Sequence, residues 1–348
     1  MILGFLWIDV FSEYSYPQLL AGFSAGLSLV LLPMLFVRAP FRQLVALSNA
    51  RFEHLLTLIQ AISIGTIAVA STYNFRLVAI ANIYDYRGEI AFPGPVRYLI
   101  GWVSSTLLPF AFACYWLLGH RWRAVLVVIL LLFLYPITLT KFTFFTPTWL
   151  FAPAVLSRFC GGTNFGHLVD PLLVGLVANV ATGASLNGIV GRYFDLVNIR
   201  MIATASSALD IYNDFFTSHP LTHFCQISLL KTVMPCAYQD QLSVVMQDTY
   251  GFGMINASLF ATEAVASGGV YFAPLTAPAA GFILALGNRA STELPQRFVL
   301  ISSGTLPHVL LNTPLSVTMV THGAALLFLL WYVTPRHIFK RTGRNRNP

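Results

Sequence analysis

The chain has 348 residues, 56% of them hydrophobic and only 9% charged, with a mean hydropathy of +0.71. Soluble domains carry about 25% charged residues, so the composition excludes a soluble globular domain and points to a polytopic membrane protein. The formal net charge of +7 collects at the ends of apolar runs, which assigns it to membrane orientation rather than to a nucleic-acid partner.

A bilayer core needs about 20 apolar residues per helix, and on that measure the chain divides into nine spans. They lie near Pro17–Val37, His54–Thr72, Arg97–Gly119, Trp122–Thr140 and Phe142–Ser157, then Leu168–Val190, Ala257–Leu286, Phe298–Leu311 and Leu315–Val333. The fourth holds the almost unbroken apolar run AVLVVILLLFLYPITLT. The fifth is short and carries Pro147 and Pro153, so it reads as tilted or re-entrant. The fold class is all-α: a polytopic helical membrane protein of about nine transmembrane helices, one integral domain over residues 1–348, with a large external helical loop. The start, MILGFLWIDVFSEY, has neither a basic n-region nor a small-residue cleavage site, and reads as an uncleaved beginning or the tail of an earlier helix.

Basic residues set the orientation. With the C-terminal RHIFKRTGRNRNP inside, alternation through nine spans places 13 of the 20 Lys and Arg inside and 7 outside, in line with the positive-inside bias. The outside segments are then a first loop at 71–97 and a large loop at 200–256. The seven outside cations are Arg76, Arg87, Arg97, Lys141, Arg192, Arg200 and Lys231. Topology disfavours them there, so each either snorkels, pairs with a carboxylate or meets an anionic ligand.

Two outside segments hold the candidate chemistry. In the first, Tyr84-Asp85-Tyr86-Arg87-Gly88-Glu89 puts an arginine fork beside aromatic rings, a set that suits a diphosphate and a sugar. The bland alternative is an internal pair of Arg87 with Glu89 or Asp85. The second is the one long polar interval, with Asp210, Asp214, Asp240, Asp248, His219 and His223, and Asp195 just upstream. A helix-like run there, from Asp195 to Phe216, ends before His219-Pro220. Arg200, Ser207, Ile211 and Asp214 share roughly one face, and Asp210 and Asp214 are neighbours four apart. His219 and His223 are also four apart, but no carboxylate or cysteine completes a metal site. Cys225 and Cys236 both lie outside, either as a disulfide in an oxidising compartment or as two thiols.

These residues carry a family resemblance. Tyr86 and Arg87, Lys141 after a very apolar span, the run NIRMIATASSALDIYNDFFTSHPLTH and the run GFGMINASLFATEAVASGGVYF resemble the bacterial Wzy-type oligosaccharide repeat-unit polymerases. The likeness rests on an arginine motif at Arg87, a basic residue at Arg200 followed by Tyr212, Phe215 and Phe216 with Pro220, and an asparagine-bearing run from Asn256 into Gly268-Gly269. It covers roughly residues 75 to 290. Members tend to be longer and to carry more N-terminal helices, and the stretch after Pro220 departs from their pattern.

The resemblance implies an enzyme that joins undecaprenyl-diphosphate-linked oligosaccharide repeats at the periplasmic face of a bacterial inner membrane, building O-antigen, capsule or exopolysaccharide. Substrate-binding residues would be Arg87, Arg200, Tyr86, Tyr212, Lys141 and Asn256, with Asp214, Asp210 or His219 as the general base. Partners would be membrane lipid, a chain-length regulator and a flippase. No metal cluster or glycine-rich nucleotide motif is visible, so no cofactor is expected. Two other readings share the sequence features: an O-antigen ligase-like glycan transferase, and a transporter or flippase of lipid-linked glycans. The second would show ionisable residues at mid-membrane and broken helices; Glu263 and His322 lie in predicted spans, and no internal repeat is seen.

Overall fold

The computed structural model describes residues 26, 29–37, 39–159, 204–227, 230, 233–251 and 261–339. Among them every regular element is helical and there is no strand. In chain order the helices are α1 (Asn49–Tyr73), α2 (Ile83–Arg87), α3 (Gly94–Leu118), α4 (Arg121–Thr138), α5 (Lys141–Phe159), α6 (Thr204–Ser218) and α7 (Leu242–Tyr250). They continue as α8 (Ala261–Gly268), α9 (Ala273–Ala290), α10 (Gln296–Ser302), α11 (Leu306–Asn312), α12 (Leu315–Val320) and α13 (Ala324–Val333). Three of them, α1, α3 and α4, are long and apolar enough to cross a membrane. The predicted span at Leu168–Val190, and most of the one at Pro17–Val37, fall outside the described residues.

The chain groups into two compact units. One takes Ala39–Thr163, Gly287–Val309 and Thr318–Pro348, here the bundle unit; the other takes Met1–Arg38, Asn164–Leu286 and Leu310–Val317, here the loop unit.

In the bundle unit α1, α3 and α4 pack on one another, and α5 and α10 join them. Ser48 caps α1 by accepting a hydrogen bond from the Arg51 N–H at 3.4 Å, which satisfies one of the open donors of its first turn. Phe52, Leu56, Ile59, Ser63, Thr66 and Ala70 of α1 are buried at alternating steps of four and three, a single stripe facing the bundle. Leu58, Ile62, Ile64 and Val69 stay exposed on its other faces. A helix that is apolar all round, yet buried along one stripe, fits a lipid-facing helix. By contrast α3 is buried along most of its length, and it is the axis of the unit. Phe110 of α3 meets Phe52 and Phe298 edge to face at 6.4 and 5.6 Å, a favoured aromatic geometry. Gly119 at φ 83° ends α3 and lets the chain reverse into α4.

The loop unit is built on α6. Its Ala208, Leu209, Ile211, Tyr212, Phe215 and Phe216 are buried with Met246 of α7 and Val265 and Ala266 of α8. The predicted face of Ser207, Ile211 and Asp214 is turned mostly inward: Ile211 is buried, and Ser207 and Asp214 are half-buried. The predicted helix begins at Asp195; the described helix runs from Thr204 to Ser218, and residues 195–203 lie outside the described residues.

The spans predicted after residue 256 are interrupted. Ala257–Leu286 contains two helices, α8 and α9, with Gly269 at φ 80° between them. Phe298–Leu311 contains α10 and α11, and Leu315–Val333 contains α12 and α13, parted at Gly323 with φ 75°. The predicted Phe142–Ser157 is one helix, α5, with Pro147 and Pro153 inside it. Glycine at positive φ stops a helix without the steric cost another residue would carry.

Candidate functional site

The first loop of the bundle unit is pinned between α1 and the end of α4. Asn74 donates from its side chain to the carbonyls of Pro136 and Ile137 at 3.2 and 2.7 Å, and the Arg76 N–H reaches the Pro136 carbonyl at 2.9 Å. These are carbonyls that the end of a helix leaves open. Ile83 of α2 is fully buried against Tyr135 and Leu139, so α2 is held down by an apolar plug.

On this base Arg76, one of the seven outside cations, takes a carboxylate that the bland alternative gave to Arg87. Glu89 pairs with Arg76 at 2.6 Å, and the Arg76 guanidinium lies 5.8 Å from the centre of the Tyr86 ring. Arg87 is exposed at the last position of α2 and makes no ion pair among the described residues. Residues two apart on a helical turn do not face each other, so Glu89 reaches back thirteen residues to Arg76 instead of to Arg87. Lys141, the first residue of α5, and Arg97, in the first turn of α3, are also exposed. Of the predicted set, Tyr86 is exposed beside Arg76.

In the loop unit the predicted bases have distinct surroundings. Asp210 is buried at 2% exposure. Asp214 accepts a hydrogen bond from the Tyr250 hydroxyl at 2.6 Å, which fixes its carboxylate. His219 lies flat on Phe215, with ring centres 3.9 Å apart. Its Nδ1 is 2.9 Å from the Phe215 carbonyl and 3.0 Å from the Ser218 hydroxyl. A carbonyl only accepts, so that contact requires Nδ1–H, and the neutral ring then keeps its lone pair on Nε2. Tyr212 is buried, and burial pushes its phenol above the usual value; it stays protonated. Arg200 and Asn256 lie outside the described residues.

The segment after Pro220 is closed by a disulfide between Cys225 and Cys236, whose Cα atoms are 5.4 Å apart. The Gln226 amide donates to the Tyr238 and Asp240 carbonyls at 3.0 and 3.3 Å, and the Tyr238 hydroxyl donates to the Pro220 carbonyl at 2.7 Å. Together these bonds tie the cross-linked loop to the end of α6. Among the described residues no three His, Cys, Asp or Glu side chains are grouped to hold a metal ion. Glu263 accepts from the Ser316 hydroxyl at 2.8 Å, at the start of α12. The unpredicted contacts, Arg76–Glu89 and Asp214–Tyr250, join residues 13 and 36 apart; hydropathy and short spacing carry no signal for either.

Comparison of the chain with protein-family models, with curated proteins and with solved structures gives no significant match.

Proposed function

We propose that the chain polymerises polyisoprenyl-diphosphate-linked oligosaccharide repeats at the outer face of a bacterial inner membrane, with residues 200–256 in the periplasm and the C-terminus in the cytoplasm. The observation that carries the reading is Arg87. It is exposed on a pinned turn, next to Tyr86, while Glu89 of its loop pairs with Arg76. A guanidinium held ready in this way suits a diphosphate, whose oxygens match its planar donors. Arg87 and Arg200 would bind that group and stabilise the charge that develops on it as it leaves. Lys141 and Tyr86 would add charge and a ring for the sugar. Asp214, Asp210 or His219 would take the proton of the acceptor hydroxyl.

A second reading is a carrier of lipid-linked glycans. The interrupted helices α8–α9 and α12–α13 favour it, since transporters place broken helices around their sites.

Arg→Lys substitution separates a diphosphate ligand from a brace. Lysine keeps the charge but loses the fork, so Arg87→Lys and Arg200→Lys should each lower polymer synthesis ~10²-fold or more. The readout is the chain-length distribution of surface polysaccharide, at normal membrane abundance of each variant. Full-length polymer from both variants refutes the assignment.

A further inference from the structure

The bundle unit holds a second polar cluster, built around an imidazole. Its scaffold is α3, one of the three helices long enough to span a membrane. Residues Val103–Leu107, near the middle of that helix, form a π-helical turn, and the Leu108 N–H donates to the Val103 carbonyl. Single π-turns inside α-helices are frequent at functional sites. Facing it is the break between α12 and α13, residues Thr321-His322-Gly323.

Side chains of α3 reach the carbonyls at this break, of which that of Gly323 also accepts from the Leu327 N–H at 2.9 Å. The Trp102 Nε1–H donates to the Val320 carbonyl at 2.6 Å, and the Thr106 hydroxyl lies 2.8 and 3.0 Å from the His322 and Gly323 carbonyls. Gly101 allows the approach: a Cβ there would clash with the Thr321 carbonyl oxygen. Ser105, in the π-turn, has its hydroxyl 3.0 Å from Nδ1 of His322. Its own carbonyl accepts from the Thr305 hydroxyl at 2.7 Å, so the group that orients the ring is itself fixed. The other ring nitrogen, Nε2, takes no hydrogen bond among the described residues.

A second imidazole, His308, is an ionisable neighbour on α11; it stacks on Phe142 with ring centres 5.1 Å apart and meets Trp149 at 6.5 Å. Around His322, α3 presents Trp102, Ser105 and Thr106, and the turn before α11 presents Thr305. Two imidazoles without a carboxylate or thiol fall short of the three protein ligands of a zinc site.

We propose that His322 is a proton-binding site within the membrane-spanning part of the bundle, with Ser105 as its positioning residue. A hydroxyl serves such a site because it rotates between donor and acceptor. It therefore holds the ring in either protonation state, where a carboxylate would lock the charged form. An ionisable side chain at this depth is costly unless it has a task, and the π-turn, the glycine and the three carbonyl contacts all serve to seat this one. The inference does not depend on the glycan reading.

The test is a titration of full-length protein labelled with 15N-histidine in lipid nanodiscs, followed by NMR over about pH 4–9, a range that brackets an ordinary imidazole. His322→Gln identifies the His322 signals by their loss. The inference expects them to titrate reversibly. Ser105→Ala should alter the Nδ1 shift and the midpoint. Should His322→Gln fail to fold, replacing the other histidines one at a time leaves the His322 signal as the one not lost. Signals that stay neutral across the whole range, or a midpoint and Nδ1 shift indifferent to Ser105→Ala, overturn the inference.

Discussion

At the scale of the residue, Arg76 is paired with Glu89, and Arg87 makes no ion pair among the described residues. Arg76 and Glu89 form an exposed pair, 46% and 60% accessible, and such pairs contribute about 0–1 kcal/mol. Glu89→Gln should therefore leave membrane abundance and polymer length close to wild type, as measured by immunoblot and polysaccharide gel. A loss of polymer equal to that of Arg87→Lys would make the loop a charge network instead. Asp214 invites a similar comparison. Tyr250→Phe removes one hydrogen bond to its carboxylate, a bond of the charged class worth about 1.5–3 kcal/mol. Thermal melting of the purified variant reads that loss, and an unchanged melting temperature would show the contact to be idle.

At the scale of the element, the long spans were legible because α1, α3 and α4 are continuous apolar runs near bilayer length. The breaks were not. Gly269 and Gly323 stand in runs apolar enough to read as whole helices, so hydropathy outweighed the glycine signal; only the backbone shows that both take positive φ. The loop after Pro220 left two outcomes open, and the disulfide of Cys225 with Cys236 is the one found. Closing a loop of this size contributes about 3 kcal/mol in the chain-entropy model. Reduction should lower the unfolding temperature of the protein, and Cys225→Ser with Cys236→Ser should reproduce the drop; equal stability with and without reductant would contradict it. Gly101→Ala tests the seat of the α12–α13 break. Its Cβ would meet the Thr321 carbonyl oxygen, and forced overpacking costs about 1–3 kcal/mol. Melting should drop accordingly, whereas Gly65→Ala, with nothing within 4 Å, should not destabilise.

At the scale of the molecule, the described residues are helical, with three helices long and apolar enough to cross a membrane, and basic residues gather at both ends of the bundle unit. One end carries Arg76, Arg87, Arg97 and Lys141; the other carries Arg51, Arg121, Arg123, Arg336 and the Glu53–Arg123 pair at 3.3 Å. The candidate site was legible as a list of side chains in polar segments between apolar runs. Its partners were not legible, because Arg76–Glu89 and Asp214–Tyr250 depend on how the chain returns on itself. Orientation is tested by cysteine labelling at Ser218 and Gln239 from outside intact cells: labelling at both is expected, and labelling only after lysis reverses the topology. The most direct measurement reconstitutes the purified chain in proteoliposomes with lipid-linked repeat from cells that lack it. The account predicts products of two or more repeats, with release of polyisoprenyl diphosphate, and their loss in Arg87→Lys. Transfer of single repeats across the bilayer with no new glycosidic bond would contradict it.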